Sequence, residues 1–172
     1  KAMIMDITTT VQELINSYRR YYDIHEEEAA SFPELAARCD LHMTQSNYVL
    51  SKKNVPWSAD SHEYCYIFEA DHLDLDTYRR FEDYVYRNGM ELIDPKPGHM
   101  CSVLSVIVIC KSASPDARRA MKHCHIHKNF RFSLDGWMDM RTGLLELESG
   151  HVVTNMSGHE AKKHLQQLAK AS

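Results

Sequence analysis

Only six of the 172 residues are glycine, and none falls in a G-x-G-x-x-G, P-loop or G-x-S-x-G pattern. Loops that wrap phosphate in backbone N–H groups depend on glycine at those spacings, as does the strained turn that exposes a hydrolase serine. These signatures are therefore excluded. The helical zinc-protease pattern H-E-x-x-H is also lacking. No apolar run nears the roughly 20 residues that a membrane helix needs, and the most apolar stretch, Val103 to Cys110, is far shorter. That excludes a transmembrane helix within these residues, while a longer parent chain could still carry one. Nor does an apolar run follow Lys1, as a secretory leader would require. Charge of one sign is equally scarce: 20 Lys and Arg stand against 24 Asp and Glu, a net charge of -4. A surface devoted as a whole to nucleic acid or an anionic membrane is excluded, although a local basic patch is not. The five cysteines, Cys39, Cys65, Cys101, Cys110 and Cys124, are odd in number and form no C-x-x-C pair. They read as reduced, partly core residues of a cytoplasmic protein rather than as a disulfide framework.

What is present is the balance of a globular chain, 44% hydrophobic and 26% charged, at a length suited to one α/β domain over residues 1–172. Val11, Leu14, Ile15, Tyr18 and Tyr22 recur at helical spacing. They predict a helix from about Thr9 to the acidic run Glu26-Glu27-Glu28, opened by a Thr10/Glu13 capping box. Period two then takes over at Cys39, Leu41 and Met43, with a return strand expected at Tyr48-Val49-Leu50 and a central strand at Glu63–Ala70. Asp74 and Asp76 open a second helix with the stripe Tyr78, Phe81, Val85, and Asn88-Gly89 is expected to stop it. Val103–Cys110 reads as a strand covered on both faces. Ser114-Pro115-Asp116 opens a third helix. Beyond Lys128 a β-meander is expected. It comprises Phe130, Phe132 and Leu134 in alternation, a turn at Asp135-Gly136, and short strands at Trp137–Arg141, Leu144–Glu148 and His151–Thr154, separated by turns at Thr142-Gly143 and Ser149-Gly150. Ser157 and Glu160 then cap a final helix.

The resulting helix-strand-strand-strand-helix-strand order over Thr9 to Lys111 resembles the core of the restriction-endonuclease-like, or PD-(D/E)XK, superfamily. The stretches YCYIFEA and SVLSVIVIC, with the helix ending in Asn88-Gly89 between them, are also similar to cytosolic N-terminal domains of Firmicute rhomboid-type proteins. These resemblances imply a bacterial module with a nuclease-like core. The nuclease chemistry needs an acid on one strand and acid-x-Lys on the next, so that carboxylates hold a divalent metal beside an activated water. Here Glu63-Tyr64-Cys65 and Glu69-Ala70-Asp71 supply no lysine, Ile109 stands two residues before Lys111, and the nearest match, Asp94-Pro95-Lys96, sits in a proline-rich loop. The expectation is a degenerate core with no catalytic residues.

Three constellations remain as candidate sites. His123, His125 and His127 alternate; on a strand, neighbours would lie about 6.6 Å apart on one face, close enough for two to share a metal. Glu69 and Asp71, with Asp74 and Asp76 nearby, gather where a strand meets its helix and could hold a divalent cation. Arg118, Arg119, Lys122, Lys128 and Arg131 form the most basic region, suited to an anionic ligand, with nucleic acid the less favoured occupant. The function expected is a non-catalytic binding or regulatory module for a protein or anionic ligand. The alternatives are a divergent metal-dependent nuclease or phosphodiesterase, drawing on Asp40, Glu63, Glu69, Asp71 and Lys52 or Lys111, and a histidine-based metal-binding protein.

Overall fold

The computed structural model describes residues 6–44 and 60–171, so the return strand expected at Tyr48–Leu50 lies outside the described residues. The centre of the fold is a trio of long parallel strands: β3 (Asp60–Leu73), β4 (His99–Ala113) and β6 (Trp137–Glu146). Parallel neighbours need crossovers. Helices α2 (Leu75–Leu92) and α3 (Pro115–Lys122) supply them. On the other side of β3 lies antiparallel β2 (Leu35–Thr44), followed by the short β1 (Asp23–His25). Two further three-residue strands, β5 (His127–Asn129) and β7 (Val152–Thr154), pair with opposite ends of β6. Among the described residues the sheet therefore has seven strands, in the order β1-β2-β3-β4-β6-β5 with β7 also on β6.

The alternating strand period sorts the core into two layers. Tyr64, Tyr66, Phe68, Leu104, Val106, Val108, Met138 and Met140 face α2 and α3, meeting Tyr78, Phe81, Val85, Ala117 and Met121. The intervening residues Cys65, Ile67, Ile107, Ile109 and Leu145 face α1 (Ile7–Tyr18) and α4 (His159–Lys170), meeting Val11, Leu14, Ile15 and Leu165. The architecture is thus mixed α/β, with helices on both faces of one sheet. No helix of the described residues is long and apolar enough to cross a membrane.

Several boundaries depart from the sequence reading. The first helix begins at Ile7, capped by Asp6, whose Oδ1 accepts from Thr9 N at 2.7 Å. It ends at Tyr18, where Tyr22 stacks back on Tyr18 and Ile24 pairs with Cys39. Glu26–Ser31 is a separate 3₁₀ helix. Helix α2 runs through Asn88-Gly89 to Leu92. Gly89 lies inside the helix, and a Cβ there would stand 2.5 Å from Leu104 Cδ2, so the glycine marks a close helix–sheet approach rather than a stop. Thr142-Gly143 is not a turn either: β6 passes straight through it, and a Cβ on Gly143 would meet Ile107 Cδ1 at 2.8 Å and Leu165 Cδ1 at 2.9 Å. The expected alternation of Phe130, Phe132 and Leu134 never forms. Arg131, Phe132 and Ser133 all take positive φ (47°, 54° and 68°) as the chain turns from β5 into β6, leaving Phe132 96% exposed. The last helix is entered through Gly158 rather than Ser157. Asn155 Oδ1 holds that entry by accepting from Gly158 N at 2.8 Å.

Candidate functional site

On the α1/α4 face, the strand positions that carry the core also carry one polar residue each. Along β3 the sequence Glu63, Cys65, Ile67 points toward α1; along β4, Ser105, Ile107, Ile109; along β6, Arg141, Gly143, Leu145. Ser105 lies beside Arg141 in the parallel register, and Cys65 lies beside Ser105, with Glu63 one step back on the same face. A serine between two long charged side chains leaves the floor low. The result is a cavity of about 190 Å³, bounded by Tyr18 and Tyr22 from α1 and its extension, by Glu160 and His164 from α4, and by Glu63, Ser105 and Arg141 from the sheet.

Within it, Tyr22 Oη donates to Glu63 Oε2 at 2.6 Å and Ser105 Oγ donates to Glu63 Oε1 at 3.1 Å. Each carboxylate oxygen thereby has one donor and keeps further lone-pair capacity. Burial, followed by the nearby Glu63 charge, pushes the Tyr22 hydroxyl far above its ordinary range, so it stays a donor. Ser17 Oγ gives its proton to Leu14 O at 2.6 Å while lying 3.0 Å from His164 Nε2. A hydroxyl has one proton, so His164 donates through Nε2 and presents Nδ1 as an acceptor. Burial lowers the His164 pKa and favours that neutral form. Tyr22, Tyr18 and His164 form an aromatic wall, with ring centroids 4.7 Å and 5.8 Å apart and interplanar angles of 24° and 18°. Arg141 is the exception to this pairing. Its Nε is buried and has no hydrogen-bond partner among the described residues. An unmet buried donor costs about 1–3 kcal/mol, more for a charged group.

The sequence-predicted sites fare differently. Glu69 and Asp71 line a wider, more open groove of about 500 Å³ with Asp6, Glu34 and Lys111. Lys111 Nζ lies 3.5 Å from Asp71 Oδ1, Arg80 reaches Glu34 at 3.1 Å, and Asp6 is committed to its helix cap. His123 and His125 are exposed between α3 and β5. His127 is drawn aside by Asp139 Oδ1 at 2.6 Å and Asn129 Oδ1 at 3.0 Å. The three histidines do not share a strand face, because α3 ends at Lys122 and only His127 enters β5. Among the described residues no group of three or more His, Cys, Asp or Glu side chains is gathered to hold a metal ion.

The basic region is largely neutralised. Arg118 Nε and Nη2 each reach Glu146 at 2.7 Å, Arg119 lies 3.4 Å from Asp116, and Arg131 lies 3.3 Å from Asp135, leaving Lys122 and Lys128 exposed. Asp40, on the α2 side of β2, is bound by Arg38 at 2.9 Å and His25 at 3.2 Å. The five cysteines are unpaired. Burial pushes the Cys39 and Cys110 thiols up to about 12 and Cys124 up to about 11, so none of these three is a thiolate at neutral pH.

A family model described as a domain of unknown function, DUF8052, matches residues 6–167. The chain belongs to the DUF8052 family. No curated protein and no solved structure matches it. The match to DUF8052 spans every residue that lines the Arg141 cavity. Those residues escape a motif search because they come from five separate elements. A signal was nevertheless present: Glu63, Ser105 and Arg141 each stand two residues before a pair of inward-facing core positions, where an apolar residue is the norm.

Proposed function

We propose that this DUF8052 chain is a non-catalytic binding module whose ligand is a small molecule bearing a carboxylate or phosphate, held by Arg141 beneath α1 and α4. The observation that carries the reading is the buried, unpartnered Arg141 Nε in a cavity where Tyr22 and Ser105 already donate to Glu63. A guanidinium offers a planar fork that matches a carboxylate or phosphate. Glu63 and His164 Nδ1 would accept donors on the same ligand, and the Tyr22–Tyr18–His164 wall would pack its flat part. Five unpaired cysteines support a reducing, cytoplasmic setting.

The core is read as a degenerate restriction-endonuclease-like one. The helix-strand-strand-strand-helix-strand order through β4, with β3 and β4 parallel, supports that reading. The strand geometry argues against a working nuclease built from the expected carboxylates. Glu63 and Glu69 share a face but are six residues apart, about 20 Å along a strand, and Asp40 pairs with Tyr64 on the opposite face.

Thermal unfolding in the presence of inorganic phosphate, acetate and citrate tests the proposal. The native protein is expected to be stabilised by at least one of these anions, Arg141→Lys partly so, and Arg141→Gln not at all. Equal stabilisation of the native protein and Arg141→Gln would remove Arg141 from the site and sink the reading.

A further inference from the structure

A second feature lies on the other face of the sheet and is independent of the Arg141 cavity. Strands β2 and β3 pair antiparallel with His42 directly opposite His62. The two imidazoles converge, with Nδ1 to Nδ1 at 2.6 Å, ring centroids 4.8 Å apart and an interplanar angle of 65°. Tyr64 packs edge-on against His42 at 5.9 Å. His42 is exposed and His62 half-buried.

Only one proton can occupy the line between two nitrogens at that distance, so at least one Nδ1 presents a lone pair to the other. Two imidazole nitrogens held against each other across a pair of hydrogen-bonded strands, one of them on an exposed side chain, are close to the arrangement a chelate needs. Zinc binds imidazole nitrogen at about 2.0–2.1 Å, so two ligands at a bite angle of 90–110° sit about 2.9–3.4 Å apart. Opening the pair from 2.6 Å requires a movement of well under 1 Å by two side chains, one of them exposed.

We infer that His42 and His62 form a two-histidine chelate for a borderline divalent transition ion, with the remaining coordination positions taken by water or other ligands. Imidazole ligation selects Zn²⁺, Cu²⁺ and Ni²⁺ over Mg²⁺ and Ca²⁺, which prefer oxygen. The ion would act as a clip across β2 and β3 close to where β2 ends at Thr44 and β3 begins at Asp60. His123, His125 and His127 alternate within five residues of the chain, whereas His42 and His62 are brought together only by strand register.

Calorimetric titration of the metal-stripped protein with Zn²⁺, Cu²⁺ and Mg²⁺ at pH 7.5 tests the inference, using the native chain, His42→Ala, His62→Ala and, as a control, His123→Ala. The native chain and the control are expected to bind about one equivalent of Zn²⁺ or Cu²⁺ and to gain thermal stability from it. His42→Ala and His62→Ala should each bind at least tenfold more weakly and gain none. Substoichiometric Cu²⁺ should broaden the His42 and His62 ring resonances of the native protein before those of the other histidines, a readout that needs no variant. The inference is overturned by absence of Zn²⁺ and Cu²⁺ binding in the native chain, by unchanged binding in both alanine variants, or by first broadening elsewhere.

Discussion

Arg118→Ala should cost the fold about 2–3 kcal/mol at pH 7.5. Glu146 is 1% exposed at the end of β6, where its two oxygens take Arg118 Nε and Nη2 at 2.7 Å each and the Ala113 amide at 2.9 Å. Breaking a buried ion pair by removing one partner costs about 3–5 kcal/mol, because the other charge is left without compensation. The Arg118 side chain is 36% exposed, so water re-enters part of the gap and the expected cost falls at or below the lower end of that range. For a domain of this size each kcal/mol moves Tm by about 2–4 °C, which predicts a fall of about 4–12 °C.

The pH dependence supplies a sharper check. Burial pushes the Glu146 carboxyl up, but the Arg118 guanidinium and the Ala113 amide outweigh it, and the net shift is below the ordinary value of 4.5. A depressed carboxyl contributes stability that is fully present above the unfolded pKa and is lost as pH falls through the folded value. Without Arg118 burial is opposed mainly by the Ala113 amide, so the carboxyl protonates at a higher pH and sheds part of its penalty. The gap between native and variant, followed by urea unfolding, should therefore narrow between pH 7.5 and pH 4. Arg118→Ala/Glu146→Leu should be less damaging than Arg118→Ala alone, its remaining cost being the orphaned Ala113 N–H at about 1–3 kcal/mol. A gap that is constant with pH, or a double variant worse than the single one, would refute the reasoning.

Asn155→Ala should destabilise by about 3 kcal/mol or more in chemical unfolding. This buried amide accepts from Thr142 N and Gly158 N and donates to Cys124 O and Met140 O, so four backbone groups lose a partner together. Gly143→Ala should cost about 1–3 kcal/mol by forcing α4 away from the sheet, and the loss of Leu165 packing should register in amide exchange on α4. Phe132→Gly should raise Tm, since glycine takes positive φ without penalty and the phenylalanine side chain is almost fully exposed. Bonds to Asp139 and then Asn129 raise the His127 pKa above 6.5, so its contribution is present below that value and lost as pH rises through the folded pKa. Asp139→Asn should bring the His127 ring titration, followed by NMR, back toward 6.5.

The helices were legible where a chemical signal marks them. Asp74 and Ser114 cap α2 and α3, accepting from Thr77 and Ala117 amides, and the apolar stripes point where expected. Glycine misled twice for one reason. In the sequence Gly89 and Gly143 look like backbone punctuation, yet both serve a close approach between a helix and the sheet that a sequence alone does not display. Reading Gly143 as a turn split β6 into two strands and hid the third parallel member of the sheet. The Arg141 cavity was illegible for a related reason: its lining depends on the register of β3, β4 and β6, and none of its members is adjacent to another in a motif. Proximity of basic residues in a sequence says nothing of carboxylates arriving from elsewhere, as Glu146 does to meet Arg118.

The way this sheet ends on each side bears on how copies of the chain meet one another. A long, unpaired strand edge is a template for another chain, and recruitment along it leads toward ordered aggregates. Here one border is β1, three residues long. The outer border of the ten-residue β6 is occupied by two three-residue strands arriving from opposite sides, β5 at Trp137–Asp139 and β7 at Gly143–Leu145. Among the described residues neither border offers the continuous row of six or seven free backbone groups that cross-strand polymerisation needs. The apolar parallel strands that would be most hazardous if exposed are the ones enclosed at the centre.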